Sequence, residues 1–422
     1  MALRILMISS DYYPVTRVDV TVLFGVEIAG YGHRIDLILP SEAACPRPYL
    51  APWAGGEIWV GATDLGTSLA HRIRKHLRSI AADLRLFGAL RSGRYDLLII
   101  KDKFLSGILG LLAARWYRRP FVYWLSYPFP EAYLQRARDG TSRYPRLYLI
   151  RGHVFRLLLY RVLLPRADHV FVQSAEMLRS VAAQGIAVRK MTAAPMGIQP
   201  QMFAARDPTL PRAVLPPTVP CIVYLGTLGR GRHMDFLLRV MVQVRASVPT
   251  ARLYLVGRGD DAGDEEFLQD EARRLGLSLG EALVMTGQLP RAAALEYVAE
   301  ADVCVSPLYP TPVLNVGSPT KLIEYLAMGK AVVANDHPEQ RLLIEASGAG
   351  YCVPYEERAF AAGIVKLIAE PERARQMGLK GRPYVLAHRT YAVIGREVEA
   401  ELRRIVAQGP AAKSAGSVAG RS

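Results

Sequence analysis

The stretch NVGSPTKLIEYLAMGKAVVAND, residues 315–336, couples a helix start to a buried strand. Ser318 followed by Pro319 reads as an N-cap and first helical residue, because a serine hydroxyl accepts a helix amide and proline needs no amide bond there. A helix N-terminus that opens onto a loop attracts phosphate. Lys321 stands in the same first turn, where it opposes the helix dipole, so its placement points to an anionic ligand nearby. Glu324, three residues on and on the same face, is a carboxylate able to accept two hydrogen bonds from vicinal hydroxyls such as those of a ribose. Phosphate at the helix end with ribose beside it describes a nucleotide. The alternative is a solvent-exposed Lys321–Glu324 ion pair on an ordinary helix. After the helix comes Ala331–Ala334, a short apolar run of strand type.

The same pairing of apolar run and amphipathic stretch extends in both directions. Upstream in the same half, Cys221–Leu225, Arg252–Val256, Leu283–Thr286 and Val303–Ser306 read as strands. Tyr224 to Arg232 ends the first of them in a glycine-rich loop bearing two guanidiniums, before the helical DFLLRVMVQV pattern. Glycine permits close backbone approach and arginine grips phosphate in bidentate fashion. In the first half, Arg4–Ile8, Arg34–Leu39, Asp96–Ile100, Phe121–Trp124 and His169–Val172 alternate with helical patterns in the same way. Strands this apolar are covered on both faces, which gives an α/β fold of two doubly wound, parallel sheets. Seven of the 28 prolines fall between Pro195 and Pro220, marking a linker. The expected organisation is a domain at 1–200, a linker at 201–220, a second domain at 221–388, a helix at 389–408 that can cross back to the first domain, and an Ala/Gly/Ser-rich disordered tail at 409–422. Ligands of doubly wound sheets bind at the carboxyl ends of the strands, so a cleft between the domains is the expected site.

Composition is consistent with this organisation. The chain has 422 residues, 51% hydrophobic and 22% charged, too long for one core and too apolar for disorder. Cys45, Cys221, Cys304 and Cys352 have neither zinc-ligand nor disulfide-framework spacing and read as core fillers in a reducing compartment. No apolar run reaches bilayer length, and the N-terminus reads as a strand rather than a secretory signal. The net charge of +15 is unevenly spread: residues 1–200 carry 27 basic and 14 acidic side chains, residues 201–422 carry 26 and 24. Such a basic first half favours an anionic partner.

Taken together, GxLxxxR from Gly226 to Arg232, LVGRG (255–259), TGQLP (286–290), ADVCVSP (301–307) and SPTKLIEYLAMGKAVVA (318–334) resemble family 4 of the retaining nucleotide-sugar glycosyltransferases. ADHVFVQS (167–174), PMGIQPQMF (195–203) and Gly32-His33 extend the resemblance through the first half. It implies a GT-B fold, two Rossmann-like domains facing across a cleft. Carried over residue by residue, Glu324 binds the ribose hydroxyls and Arg232 takes the place of a diphosphate-binding lysine, keeping charge but changing geometry. Gly226, Thr227, Arg230, Gly257, Ser318, Pro319, Thr320 and Lys321 line the diphosphate and sugar, and Thr286, Gly287, Gln288 and Leu289 hold the base. Arg232, Lys321 and Glu324 are the expected catalytic set, acting without a metal or resident cofactor, with the nucleotide sugar as co-substrate. The acidic group Asp260, Asp261 and Asp264–Glu266 is expected to be merely solvated. Three departures stand out: Val316 replaces the family's first glutamate, Ser126 aligns with its first-domain histidine, and Val15-Thr16-Arg17-Val18 replaces its Gly-Gly loop. No histidine base stands at either place.

The acceptor side falls to the basic half. From Leu69, apolar positions Ile73, Leu77, Ile80, Leu84 and Phe87 recur at helical spacing with His71, Arg74, Arg78 and Arg85 roughly opposite. One reading is a core-packed helix with a solvated basic face. The other sets that face, or its neighbours Lys101, Lys103, Arg115, Arg118 and Arg119, on anionic headgroups. Asp11, Arg17, Ser126, Tyr127 and Glu131, at expected carboxyl ends of strands, are acceptor candidates. The resulting expectation is a cytoplasmic hexosyltransferase, peripheral on the inner face of the membrane, that serves a lipid-linked saccharide or other glycoconjugate. A non-catalytic sugar-nucleotide binder and an epimerase of the same fold are the alternatives. A dehydrogenase lacks its G-x-G-x-x-G after the first strand, and no nucleic-acid module is present.

Overall fold

The computed structural model describes residues 2–64, 66, 68–140, 142, 144–203 and 213–410. The chain divides into two compact units, Met1–Pro195 with Ile394–Ser422, and Met196–Val393. Part of the expected linker, 204–212, and most of the expected tail, 411–422, lie outside the described residues.

The first unit is built on β1 (Arg4–Ser9), β2 (Arg34–Pro40), β3 (Tyr49–Trp53), β4 (Gly56–Gly61), β5 (Leu97–Lys101), β6 (Phe121–Leu125), β7 (His169–Val172) and β8 (Met191–Ala193). Their order is β3-β4-β2-β1-β5-β6-β7-β8, parallel throughout except for the antiparallel pair β3/β4. Every residue of β5 and β6 is buried, as the uninterrupted runs LLIIK and FVYWL require. The β3/β4 hairpin is not anticipated by the apolar-run pattern, because its first strand carries Pro52. Proline is tolerated there because β3 is the edge strand.

The second unit orders β9 (Cys221–Leu225), β10 (Arg252–Val256), β11 (Leu283–Gly287), β12 (Val303–Ser306), β13 (Val332–Asn335) and β14 (Gly350–Val353) as β11-β10-β9-β12-β13-β14, all parallel. Alternation along β9 divides the core: Ile222 and Tyr224 join one buried apolar cluster, Cys221 and Val223 the other. Cys304 lies in the second cluster, where burial pushes its thiol up to about 12. The four cysteines form no disulfide, and Cys45 and Cys352 are only half-buried, so they fill the core less than expected.

The last helix, Tyr391–Gln408, begins in the second unit and ends in the first. Its first-unit part is latched by His33, whose Nδ1 accepts from the Leu3 amide at 2.8 Å while Nε2 lies 3.0 Å from Glu399. Accepting at Nδ1 places the proton on Nε2, so His33 donates to Glu399. The Gly-His resemblance therefore has a structural basis: Gly32, at φ +83°, turns the chain and His33 clamps the terminal helix.

Candidate functional site

Strand order reverses at β9, with β10 and β11 on one side and β12 to β14 on the other. A cavity of about 360 Å3 opens beside this point, at the carboxyl ends of β9, β10 and β11. Gly226 and Thr227 come from the first, Gly257, Arg258, Gly259 and Asp260 from the second, Gln288 and Leu289 from the third. Five residues assigned from sequence thus share one cavity: Gly226, Thr227, Gly257, Gln288 and Leu289.

Glycine is required at two of them. Gly226 has φ +152° and Gly257 φ +140°. A Cβ on Gly257 would lie 2.1 Å from the Gly226 carbonyl oxygen, so the two loops meet backbone to backbone. A Cβ on Gly226 would meet Lys321 Cε at 3.0 Å. The Lys321 ammonium therefore sits against the loop, 4.8 Å from the centre of the Tyr224 ring. Buried tyrosines brace this corner: Tyr325 accepts from the Leu225 amide at 2.7 Å, and Tyr224 donates to the Thr227 carbonyl at 3.1 Å. Gly287, at φ +67°, bridges to Gly257, and Thr286 donates to the Gly287 carbonyl.

The helix that follows β12 runs Thr320–Ala327 with Pro319 as its N-cap, one residue later than expected. Pro319 is extended, and the Ser318 hydroxyl instead accepts from the Met196 amide at 3.1 Å. Ser318 is consequently a tie between two loops and not a cap. Thr320 and Lys321 open the helix, and Glu324 follows on its face. Glu324 pairs with Arg291 at 2.8 Å, which replaces the Lys321–Glu324 pair weighed from sequence. Arg291, from the helix after β11, fixes one carboxylate oxygen of Glu324. Nothing in the local sequence of either residue signals this pairing across 33 positions.

Arg230 and Arg232 occupy a single 3-10 turn outside the cavity lining. Arg230 turns away, 3.6 Å from Asp264 and over the Phe267 ring. Asp264 is buried and accepts from the amides of Asp260 and Asp261, while Glu265 accepts from Gly259. The acidic group is therefore not merely solvated, because it shapes the loop that forms one cavity wall.

At the carboxyl ends of β1, β5 and β6 in the first unit lies a second polar network. Lys101, 1% exposed, pairs with Asp11 at 2.6 Å and with Asp19 at 3.1 Å, and Arg17 pairs with Asp19 at 2.9 Å. Despite its burial, Asp19 is held below the usual carboxylate range by Lys101 and Arg17. Asp102, buried and in the left-handed region at φ +56°, accepts from the amide and the hydroxyl of Ser126. Burial lifts its carboxyl to about 6, against the opposing charge of Lys101. Asp11 and Arg17 are thus brought together and Ser126 lies on the neighbouring strand end. Glu131, which burial pushes upward, is held by Tyr160, and Tyr127 packs edge-on against Phe129. Sequence reading missed Asp19 and Asp102, and assigned Lys101 to a surface. Lys101 is buried, Lys103 pairs with Asp83 at 2.7 Å and Arg115 with Asp168 at 3.2 Å, so none of the three is a simple headgroup contact. The helix Leu69–Asp83 also departs from the core-packed reading, because Ile73 and Leu77 are exposed.

Residues 219–370 match the group 1 glycosyl transferases, and residues 21–197 match the glycosyl transferase 4-like domain. The chain belongs to the family 4, group 1 glycosyltransferases. Over 179 residues it is 27% identical to a phosphatidyl-myo-inositol mannosyltransferase of Mycolicibacterium smegmatis, a match covering 42% of this chain and 43% of that protein. Among solved structures, sucrose-phosphate synthase from Thermosynechococcus elongatus is similar with a TM-score of 0.74 and 19% identity, over 96% of this chain and all of that one. HepE of Anabaena, in complex with UDP-glucose, gives 0.65 and 15% over 95% of this chain and all of that one. The fold of this glycosyltransferase is GT-B.

Proposed function

We propose that the chain is a retaining hexosyltransferase that uses a UDP- or GDP-linked sugar and serves a lipid-linked saccharide or other glycoconjugate at an anionic membrane surface, in polysaccharide biosynthesis. The observation that carries the donor half is the glycine-lined cavity at the carboxyl ends of β9 and β10, with Lys321 packed against Gly226 and the Glu324–Arg291 pair on the adjoining helix. The Thr227 amide faces the diphosphate, the Gly226 amide being taken by the Val256 carbonyl at 2.9 Å, and Glu324 takes the ribose hydroxyls through the acceptor capacity that Arg291 leaves it. Gln288 and Leu289 bound the base. Charge grows on the leaving diphosphate in the transition state, and Lys321 and Arg232 stabilise it in the role a metal plays in other transferases. The diphosphate in turn helps to deprotonate the acceptor hydroxyl on the same face of the sugar, which retains configuration. The UDP-glucose bound by HepE supports a uridine donor, and the mycobacterial relative's phosphatidylinositol acceptor supports a lipid-borne one. A thermal-shift panel of UDP, GDP, ADP, NAD and their sugar conjugates tests the donor assignment. Stabilisation by one nucleoside diphosphate and its sugar is expected, and no shift with any of them overturns it.

A further inference from the structure

The outer surface of the first unit carries an apolar ridge that none of the described residues covers. On the helix Pro145–Leu157, Leu147, Ile150, Val154 and Leu157 recur at intervals of three and four and are all exposed, between 46% and 63%. Only Gly152 of that helix is buried. On the helix Leu105–Trp116, Leu112 and Trp116 stand one turn apart, and Trp116 is 81% exposed. The two helices lie side by side: Phe104, which caps the second, stacks on Phe155 of the first at 4.4 Å. Both lie in crossovers between parallel neighbouring strands, β5 to β6 and β6 to β7, which the right-handed rule for such connections sets on the same face of the sheet.

A core-facing stripe would place these six side chains inward, and here they point outward. The charge beside them identifies what they meet. Residues 136–166 contain eight arginines and one acidic residue, Asp139. At 100° per residue, Arg146 and Arg151 fall on opposite flanks of the Leu147–Leu157 stripe. An apolar stripe between guanidinium flanks, with a tryptophan at its border, matches the layering of an anionic bilayer: acyl chains below, phosphate level with the arginines, indole at the boundary.

We infer that the helices Leu105–Trp116 and Pro145–Leu157 form a membrane-docking ridge, whose apolar side chains insert among the acyl chains of an anionic leaflet while Arg146 and Arg151 bind phosphate headgroups. The inference rests on the membrane-surface part of the reading above and on nothing in the donor site. It differs from a headgroup contact made by charge alone, because insertion survives salt that screens arginine–phosphate attraction.

The test is flotation of the full chain with vesicles of phosphatidylglycerol and phosphatidylcholine, alongside brominated-lipid quenching of tryptophan. The wild type is expected to float with anionic vesicles, to remain bound after a high-salt wash, and to be quenched, with most of the quenching lost in Trp116→Phe. Ile150→Gln/Leu157→Gln removes two exposed apolar groups and is expected to lower partitioning by about tenfold or more. Its melting temperature and its shift with UDP or GDP stay at wild-type values, which separates this outcome from misfolding. Unchanged flotation of that variant overturns the ridge while leaving the membrane reading in place, and full release by salt overturns insertion. A wild type that ignores vesicles but sediments as a dimer, dissociated by the same variant, makes the ridge a self-association face and overturns the inference. Failure of nucleotide binding would sink the donor reading and leave this one untouched.

Discussion

Gly257→Ala is the substitution for which the structure gives the sharpest expectation. The new Cβ would lie 2.1 Å from the carbonyl oxygen of Gly226, and backbone does not yield as a flexible side chain does. Reaching ordinary contact needs a displacement of about 1 Å, and φ of +140° adds a conformational cost of about 1–3 kcal/mol for any L side chain. The loop that moves is the one proposed to hold the diphosphate. Loss of the charge-assisted hydrogen bond from the Thr227 amide costs about 1.5–3 kcal/mol, a drop in nucleotide affinity of about tenfold to a hundredfold. Gly231→Ala is the control: it lies in the neighbouring turn, its Cβ meets nothing within 4 Å, and it should be neutral to slightly stabilising. Titration calorimetry with UDP and GDP, paired with thermal melts, reads both effects. Wild-type affinity in Gly257→Ala would refute the argument that these two glycines shape a phosphate cradle.

Three further outcomes follow from the same geometry. Glu324→Ala removes the proposed ribose ligand and should abolish measurable donor binding, while Arg291→Ala, acting through Glu324, should weaken it only several-fold; equal losses would make Arg291 a direct ligand. Asp102 has a carboxyl raised to about 6 by burial, so its protonated form favours folding. That contribution is fully present below about pH 4 and is lost as pH rises through about 6, a swing of about 3 kcal/mol for this group. Asp102→Asn, which tolerates the left-handed backbone, should flatten the change in melting temperature between pH 5 and 7, and an unchanged slope would contradict the assignment. His33→Ala leaves the Leu3 amide and Glu399 without their shared partner and should cost about 2–3 kcal/mol, read as loss of protection in the last helix by hydrogen exchange.

The sequence pattern reveals the sheets because doubly covered parallel strands must be apolar along their whole length. All ten apolar runs match their observed strands to within one residue at each end, with Asp96–Ile100 and Ala331–Ala334 each displaced by one residue. What escapes is whatever depends on which way a face turns. Helical periodicity identifies an apolar stripe in residues 69–87 but cannot tell core from surface, and Ile73 and Leu77 point outward. Lys101 ends a buried strand, and a buried ammonium is neutralised by partners remote in sequence, here Asp11 and Asp19. The Arg291–Glu324 pair and the Ser318–Met196 bond are likewise long-range, joining residues 33 and 122 positions apart. The edge strand β3 hides behind its proline, and the hairpin turn behind Ala54-Gly55. The glycines were legible because the backbone's need for them is local.

A nucleoside diphosphate sugar is expected to lie at the carboxyl ends of β9 to β11. The most direct test is a crystal structure of the chain soaked with UDP or GDP. Diphosphate density is expected against Gly226 and Thr227 near Lys321, with the ribose within hydrogen-bond reach of Glu324. A nucleotide bound elsewhere, or ribose hydroxyls remote from Glu324, would contradict it.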